Sequence, residues 1–442
     1  MRSPVFWRRS STAAGVYLSA VLGFLGSVVA VRELGIYDFG LLSLVLAASG
    51  FFQIVADVTV EEAVVKYGFR YAAREDWGRF RRLFRAGLEL KLAGAVLGAA
   101  AIALLAPFAH AIWGRGLALP LLISALIPLA QAPEGIASAA LIVHGRYDVR
   151  AAFLVLTMAL RLGAIAIGAT FGVTGTVIAL VVARIVATAA IGGVGIVALG
   201  RFPRGRSEPL GDDRAGFRRF VVHSSLGSVL SPMRGLLGTL LVGAVTDPQQ
   251  VAYFRVAQAP EAASASLTAP ARLILFAEQT ADVERGRGDR AYRAVRRYML
   301  GAAAISAAVL LPLMLLMPAL VRTIFGTRAG PATDAARIFL LVAAIQVVWG
   351  WTKSFPISIG RPELRLLAQG AEIVVLTPTL VVLASAYGAT GAAAAFAIAA
   401  AAFAAVWTVL AVRLRRDRRA FAIATRKPIG FGSGTSFPDE PQ

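Results

Sequence analysis

A repeat of about 215 residues constrains this chain more than any other feature. The charged segment 145–150 opens an apolar stretch that closes at Gly172–Gly175, and the same order returns at 360–365 and Gly388–Gly391. Each copy contains a charged turn, a membrane-length apolar stretch, a tight glycine turn and a second apolar stretch. A repeat of half the chain that consists of apolar spans is typical of a transporter with two helical bundles. The alternative is a chance similarity between alanine-rich segments.

The composition is that of a polytopic membrane protein. Of 442 residues, 57% are hydrophobic and only 16% are charged, whereas charged residues make up about a quarter of a soluble domain. The formal charge of +20 does not indicate nucleic acid as a partner, because the basic residues lie in short loops between apolar spans. Without cysteine, the chain has no disulfide framework and no cysteine-based metal site.

We predict twelve membrane spans, each long enough to cross about 30 Å of hydrocarbon. The segments on the side of the N-terminus hold most of the 45 Lys and Arg residues, which places both termini in the cytoplasm. Since each half has an even number of spans, the halves enter from the same side and form a parallel repeat. The spans cover about 12–31, 40–60, 86–108, 118–141, 151–171, 175–198, 219–243, 250–276, 298–321, 335–358, 366–387 and 391–412.

The spans divide the chain into four predicted segments. These are an N-terminal six-helix bundle at 1–200, a basic cytoplasmic linker at 201–218, a C-terminal six-helix bundle at 219–414 and a disordered cytoplasmic tail at 415–442. Proline and glycine in the linker predict that it is flexible and lets the bundles move. Two basic segments at equivalent places, Lys66–Arg85 and Glu278–Arg297, are predicted to form short amphipathic helices on the inner surface.

Ionisable residues inside the spans are the candidates for a functional site, because a charge in hydrocarbon is costly unless it meets a partner or a water-filled cavity. Arginines outnumber acids at mid-depth, so we expect a net positive cavity between the bundles that suits a phosphate or pyrophosphate. The basic candidates for substrate binding are Arg161, Arg234, Arg255 and Lys353. The polar and coupling candidates are Asp57, Gln53, Glu134, Gln258 and Glu261.

Each of these charges also has a structural interpretation, in which it pairs with an opposite charge or a helix-end carbonyl and only fixes helix packing. We favour that interpretation for Arg184 and Arg272. At Asp57 and Glu261, coupling to H⁺ or Na⁺ and pairing with an arginine both remain open. Prolines near the arginines, at Pro232 and Pro260, are expected to break their spans around a central site.

The sequence contains no motif for covalent chemistry. It has no phosphate-binding loop of the G-x-x-x-x-G-K-[ST] type and no nucleophile elbow, so we predict neither ATP hydrolysis nor an enzyme. The three histidines do not cluster, so no metal site and no resident cofactor are predicted.

Several motifs resemble those of a known family. The turn Arg32–Gly40 resembles the R-x-L-G-x-x-x-F-G turn of bacterial polysaccharide (O-antigen repeat-unit) flippases, in the polysaccharide transport branch of the multidrug/oligosaccharidyl-lipid/polysaccharide exporter superfamily. Val242–Ala257 resembles the turn of that family into its eighth helix, and Gly360–Gly391 resembles its penultimate hairpin. Together these motifs span nearly the whole chain.

The resemblance implies a fold and a function. The fold is a V-shaped pair of six-helix bundles that works by alternating access in the bacterial inner membrane. The substrate is a polyprenyl-pyrophosphate-linked oligosaccharide; whether a polysaccharide polymerase and glycosyltransferases are partners stays open. The cleft of the family would contain Asp57, Arg234, Arg255 and Glu261. Many members carry an acid in the seventh span, where this chain has only Arg234, so a coupling scheme does not carry over.

Three alternatives compete with the flippase. A cation-coupled multidrug antiporter has the same fold, but it usually needs acids to bind cations, and arginines predominate here. A facilitator of the sugar-transporter type typically has a G-x-x-x-D-R-x-G-R-R loop, which Glu61–Arg85 lacks. A membrane glycosyltransferase or polymer ligase needs a sizeable outer loop, and the predicted outward connections are short.

Overall fold

The computed structural model describes residues 4–56, 60–113, 116–203, 205–211, 213–285, 288–361 and 363–416. Most of these residues are helical. The α-helices are α1 (Pro4–Ala56), α2 (Val60–Ala73), α3 (Trp77–Leu105), α4 (Ala109–Trp113), α5 (Ala118–Ser124), α6 (Leu126–Val143), α7 (Tyr147–Gly168), α8 (Gly172–Gly200), α9 (Asp213–Val245), α10 (Pro248–Ala257), α11 (Ala259–Glu284), α12 (Gly288–Phe325), α13 (Thr333–Val348), α14 (Phe355–Ser358) and α15 (Glu363–Arg416). Short 3-10 helices lie at Ala106–Phe108, Ala169–Phe171, Thr327–Ala332 and Gly350–Lys353.

Seven helical stretches within the described ranges are long and apolar enough to cross a membrane. Three of them have 43, 54 and 52 residues, more than twice the roughly 20 residues that one crossing needs. Each of the three contains a glycine with positive φ, at Gly35, Gly172 or Gly388, where the helix is interrupted. The prediction of an all-α membrane protein with several spans is confirmed. The seven stretches are Ala14–Ala56, Trp77–Trp113, Ala118–Val143, Tyr147–Gly200, Arg290–Phe325, Thr327–Val348 and Glu363–Leu414.

The charged turn of the repeat has the same backbone geometry in both copies. Gly145 follows α6 with φ 76°, and Gly360 follows α14 with φ 71°. In each copy the glycine N–H donates to the carbonyl three residues before it, and the N–H of the next arginine donates to the carbonyl five residues before it, at 2.8–3.0 Å. These two bonds form the Schellman motif, which ends a helix on a left-handed glycine. The Gly-Arg pair therefore recurs because both copies end a helix in the same way.

The two predicted surface helices are absent as separate elements from the described residues. α2 runs on to Ala73 and α3 starts at Trp77, so the first basic segment consists of the facing ends of two helices. Asp76 caps α3 by accepting the N–H of Arg79 at 3.1 Å. The second basic segment is divided in the same way between α11 and α12. The basic residues of the first segment lie on the 14-residue helix α2 and the start of α3, and those of the second lie at the end of α11 and the start of α12, so neither segment is a single separate helix.

Described residues of the linker pack against the start of α3. The ring of Phe202 lies 5.8 Å from the ring of Trp77 and 4.8 Å from that of Phe80. Just after the linker turn, the Asp213 carboxylate accepts a hydrogen bond from the Tyr71 hydroxyl at 3.0 Å. Burial, followed by this hydrogen bond, raises the pKa of Tyr71, so the hydroxyl stays a donor at neutral pH. The contacts of apolar Phe202, within an otherwise polar segment, pack this part of the linker against α3.

The chain forms two compact units. Unit 1 comprises Met1–Ala259, Leu316–Ile338 and Thr377–Ala395, and unit 2 comprises Pro260–Leu315, Phe339–Leu376 and Phe396–Gln442. Unit 1 has a buried cluster on α2, α3 and α6. Unit 2 has a core around Trp351 and Trp407, whose ring centroids are 5.5 Å apart. The predicted division into segments 1–200, 201–218, 219–414 and 415–442 stays a prediction, and residues 417–442 lie outside the described part.

We predict that Gly145→Ala and Gly360→Ala destabilise the protein by similar amounts. An L-residue with this backbone conformation costs about 1–2 kcal/mol, and the two turns share their hydrogen bonds. Thermal unfolding of the detergent-solubilised protein measures the change. The control is Gly163→Ala on α7, whose added methyl group would meet open space. A loss of stability in the control that equals the loss in both turn variants would contradict the prediction.

Candidate functional site

One face of α7 carries polar groups deep into unit 1. Arg150, Leu154, Thr157 and Arg161 follow at spacings of four, three and four residues, so they lie on one side of the helix. From Arg150 to Arg161 the helix rises about 16 Å. All four side chains line cavities within unit 1.

The first cavity, which we call the arginine cavity, has a volume of about 160 Å³. Its polar lining comprises Ser49, Gln53, Gln131, Thr157, Arg161 and Arg184. Arg184 Nη1 lies 2.9 Å from Glu134 Oε2, and both side chains are 21% exposed. The prediction that Arg184 is paired is therefore confirmed. Its carboxylate partner also accounts for Glu134, which the sequence placed among the polar candidates.

Arg161 and Arg255 are exposed cations of unit 1. The electrostatic influence of Arg184 reaches Arg161, and that of Arg161 reaches Arg255. Both groups are desolvated by the protein around them, yet both side chains are exposed. Arg161 is on the wall of the arginine cavity, and Arg255 is an exposed residue of α10.

No salt bridge joins Arg161 or Arg255 to a carboxylate among the residues that the structure describes. Arg255 Nη1 donates to Gln258 Oε1 at 2.8 Å, which orients the guanidinium group without neutralising it. The helix breaks at Gln258, between α10 and α11, one turn after Arg255 and close to Pro260. Pro232, by contrast, lies inside the continuous helix α9, so the expected break is found at only one of the two prolines. Two like charges without a carboxylate partner favour an anionic ligand.

The remaining candidates lie in different parts of the protein. Gln53 on α1 donates to Gln131 Oε1 at 2.8 Å and so belongs to the wall of the arginine cavity. Arg234 on α9 and Lys353, in the 3-10 helix of unit 2, are both half-buried. Glu261 accepts a hydrogen bond from Gln346 at 2.7 Å within unit 2. Asp57 and the side chain of Arg272 lie outside the described residues. The functional roles assigned to the candidates remain predictions.

A second cavity, which we call the mixed cavity, was not predicted from the sequence. Its volume is about 180 Å³, and it shares Gln53 and Gln131 with the arginine cavity. Its other polar lining is Glu61, Lys91, Glu134, Ser138 and Arg150. The sequence prediction placed Glu61 in a loop, whereas in the structure it lies in the first turn of α2. The helical spacing of Arg150 from Thr157 and Arg161 was the signal in the sequence that could have placed Arg150 on the same face of α7 as the arginine cavity.

An ion pair and a hydrogen bond connect the helices that line the mixed cavity. Lys91 Nζ lies 3.6 Å from Glu61 Oε1, with the lysine side chain only 9% exposed. The Glu61 carboxylate lies so close to Gly135 that a Cβ at that position would overlap it. Arg150 donates its Nε–H to Ser138 Oγ at 2.8 Å. Within the described residues there is no group of three or more His, Asp or Glu side chains that could hold a metal ion.

Comparisons with known proteins agree on the fold. Residues 9–274 match the sequence profile of a family described as polysaccharide biosynthesis protein. No curated protein matches the sequence at a significant level. The structure is similar to an inward-facing multidrug resistance MATE family transporter of the MOP superfamily, with a TM-score of 0.70 and 16% identity over 92% of this chain and 96% of that one.

Two further solved structures have the same fold. Lipid II flippase MurJ in an inward closed conformation gives a TM-score of 0.70 and 11% identity, over 94% of this chain and 90% of that one. A MOP superfamily transporter from Pyrococcus furiosus, described as having a binding pocket of reverse polarity, gives a TM-score of 0.59 and 15% identity, over 94% and 97%. At these identities the likeness shows the fold alone.

We predict that Arg184→Gln and Glu134→Gln each destabilise the protein by about 1–3 kcal/mol, because each leaves a partly buried charge without its partner. The double variant should cost less than the sum of the two single changes, since it removes both charges together. Unfolding free energies of the four proteins in a double-mutant cycle measure the difference. Strict additivity would contradict the ion pair.

Proposed function

The chain belongs to the polysaccharide biosynthesis protein family, and we propose that it is a lipid-linked oligosaccharide flippase. In this proposal it moves a polyprenyl-pyrophosphate-linked repeat unit, of the kind used for O-antigen and other polysaccharides, from the inner to the outer leaflet of the bacterial inner membrane. Alternating access carries the headgroup across while the prenyl chain stays in lipid. The observation that carries the proposal is the pair of exposed arginines in unit 1, Arg161 on the wall of the arginine cavity and Arg255 on α10.

A pyrophosphate group would provide the negatively charged partner that Arg161 and Arg255 lack among the described residues. A guanidinium group is always charged and offers a planar fork of donors that matches phosphate oxygens. Charge-assisted bonds from two such groups would hold the anion while it leaves water. No step in this movement breaks or forms a covalent bond. We assign substrate contact to Arg161 and Arg255 and leave Arg184 as the structural partner of Glu134.

The fold supports a twelve-helix transporter. If the three longest apolar stretches each cross twice, and α9 and the α10–α11 pair each cross once, the described helices account for twelve crossings. Two six-helix bundles with both termini in the cytoplasm then follow from the basic residues at the inner loops. A polysaccharide polymerase and glycosyltransferases would be partners in such a system.

The fold alone does not distinguish the flippase from a multidrug antiporter, because the similar structures include both kinds of transporter. The charge of the cavity favours the flippase. A cation-coupled antiporter requires carboxylates that are available to bind cations, and Glu134 already pairs with Arg184. Within this proposal, the coupling ion stays open between H⁺ and Na⁺, and the coupling residue stays open between Asp57 and Glu261.

Alternating access also requires contacts that can open on the outer side. Arg32, in the connection predicted to face outward, donates its Nε–H to the Ile324 carbonyl at 2.9 Å and also bonds the Thr323 carbonyl. A cation at the carbonyl end of α12 is further stabilised by the helix dipole. Near this contact, the backbone at Gly40 touches the Pro248 carbonyl so closely that a Cβ would overlap it. These contacts would separate when the transporter opens outward.

We predict that Arg161→Gln and Arg255→Gln each slow translocation of a fluorescent polyprenyl-pyrophosphate oligosaccharide in proteoliposomes at least tenfold. The loss of one charge-assisted bond to phosphate, about 1.5–3 kcal/mol, accounts for that factor. Arg146→Gln and its repeat counterpart Arg361→Gln are matched controls, because these exposed arginines bond acids two residues away. Normal transport in both cavity variants would return the two arginines to a structural role.

A cross-link tests the outer contact. The chain has no cysteine, so Arg32→Cys and Ile324→Cys introduce a single thiol pair without background. A bifunctional thiol reagent about as long as an arginine side chain should join the pair and stop transport, and a reducible version should restore transport after reduction. Cross-linked protein that transports at the normal rate would contradict opening at this point.

A further inference from the structure

We propose that the mixed cavity is a subsite for the sugar unit next to the phosphate, and that the Gln53–Gln131 pair separates this subsite from the arginine cavity. This inference rests on the proposed function, because it assigns a second part of the same substrate. Nothing in the family assignment places a sugar in the first half of the chain, in the space between α1, α2, α3, α6 and α7.

The lining of the two cavities differs in hydrogen-bonding chemistry. The arginine cavity offers the donors of Arg161 and Arg184 with neutral amides and hydroxyls, which suits an acceptor-only group such as phosphate. The mixed cavity combines carboxylate acceptors at Glu61 and Glu134 with donors at Lys91 and Arg150. A ligand hydroxyl both donates and accepts, so a group rich in hydroxyls can satisfy such a mixed wall.

Charge excludes the simpler occupants of the mixed cavity. A phosphate would meet the carboxylates of Glu61 and Glu134, and a metal cation would meet Lys91 and Arg150. The ion pairs of Glu61 with Lys91 and of Glu134 with Arg184 leave the wall polar without a strong field of one sign. A neutral, polyhydroxylated group is the chemical class that fits.

Several polar atoms remain available after the internal bonds are made. Arg150 uses its Nε–H on Ser138 Oγ, which leaves the two terminal nitrogens of the fork. Gln53 donates to the Gln131 carbonyl oxygen, which leaves the Gln53 oxygen as an acceptor and the Gln131 amide nitrogen as a donor. These groups line the cavity, so they can bond a ligand without first breaking an ion pair.

The position of the cavities matches the covalent structure of the substrate. The first sugar is bonded directly to the pyrophosphate, so its subsite must adjoin the phosphate site. The two cavities share Gln53 and Gln131, which form a single hydrogen bond of 2.8 Å across the boundary. A volume of about 180 Å³ equals about six waters, which suits one small polar group rather than a whole oligosaccharide.

Two probes test the subsite on the full-length protein in nanodiscs. One is farnesyl pyrophosphate, and the other is a panel of farnesyl-pyrophosphoryl monosaccharides with neutral hexoses and N-acetylhexosamines. We expect wild type to bind at least one glycosylated probe about tenfold more tightly than the sugar-free probe, because two or three hydrogen bonds are added. Glu61→Gln should reduce that preference about fivefold to tenfold and leave the affinity for farnesyl pyrophosphate unchanged.

Ser138→Ala is the second variant, because Glu61→Gln leaves the buried Lys91 without its counter-charge and can impair folding. It removes only a hydroxyl group and should also reduce the preference for the glycosylated probe. Arg146→Gln is the control and should change neither affinity. If both variants weaken the two probes equally, or neither variant changes the preference, the subsite is wrong and the flippase proposal stands. If wild type binds neither probe, the flippase proposal fails and the subsite with it.

Discussion

The cost of placing arginine inside a membrane is the constraint on which the rest of this structure depends. A guanidinium group stays charged in any protein environment, so it requires a counter-charge, polar partners or water. Arg184 meets the requirement through Glu134, at 2.9 Å. Arg161 instead lines the arginine cavity, and Arg255 bonds Gln258. The helices around them therefore hold two positive charges that no carboxylate neutralises within the described residues.

The helices that carry these charges are positioned by repeated helix ends. The Schellman turns at Gly145 and Gly360 end α6 and α14 with the same two hydrogen bonds, and Gly172 and Gly388 interrupt the longest apolar stretches. The first of these turns sets the start of α7, whose polar face runs from Arg150 to Arg161 through both cavities. The repeat thus controls where the polar residues lie as well as how the chain crosses the membrane.

Much of the fold could be predicted from the sequence, because apolar length and glycine turns are local signals. The site could be predicted only in part. Arg161, Gln53 and Glu134 stand out because a polar residue in an apolar span is conspicuous, whereas Glu61 and Lys91 lie near predicted span ends and resemble ordinary loop charges. Their pairing across α2 and α3 depends on where α2 begins, which a hydropathy pattern does not fix. The packed linker was missed for a similar reason, since the contact of Phe202 with Trp77 is made at long range.

The central claim is that Arg161 and Arg255 bind the pyrophosphate of a lipid-linked sugar. The most direct measurement is an electron cryo-microscopy structure of the wild-type protein in nanodiscs with a polyprenyl-pyrophosphate oligosaccharide bound. The account predicts density for the two phosphates within hydrogen-bonding distance of both guanidinium groups. Phosphate density elsewhere in the protein, with Arg161 and Arg255 bonded only to protein groups, would contradict it.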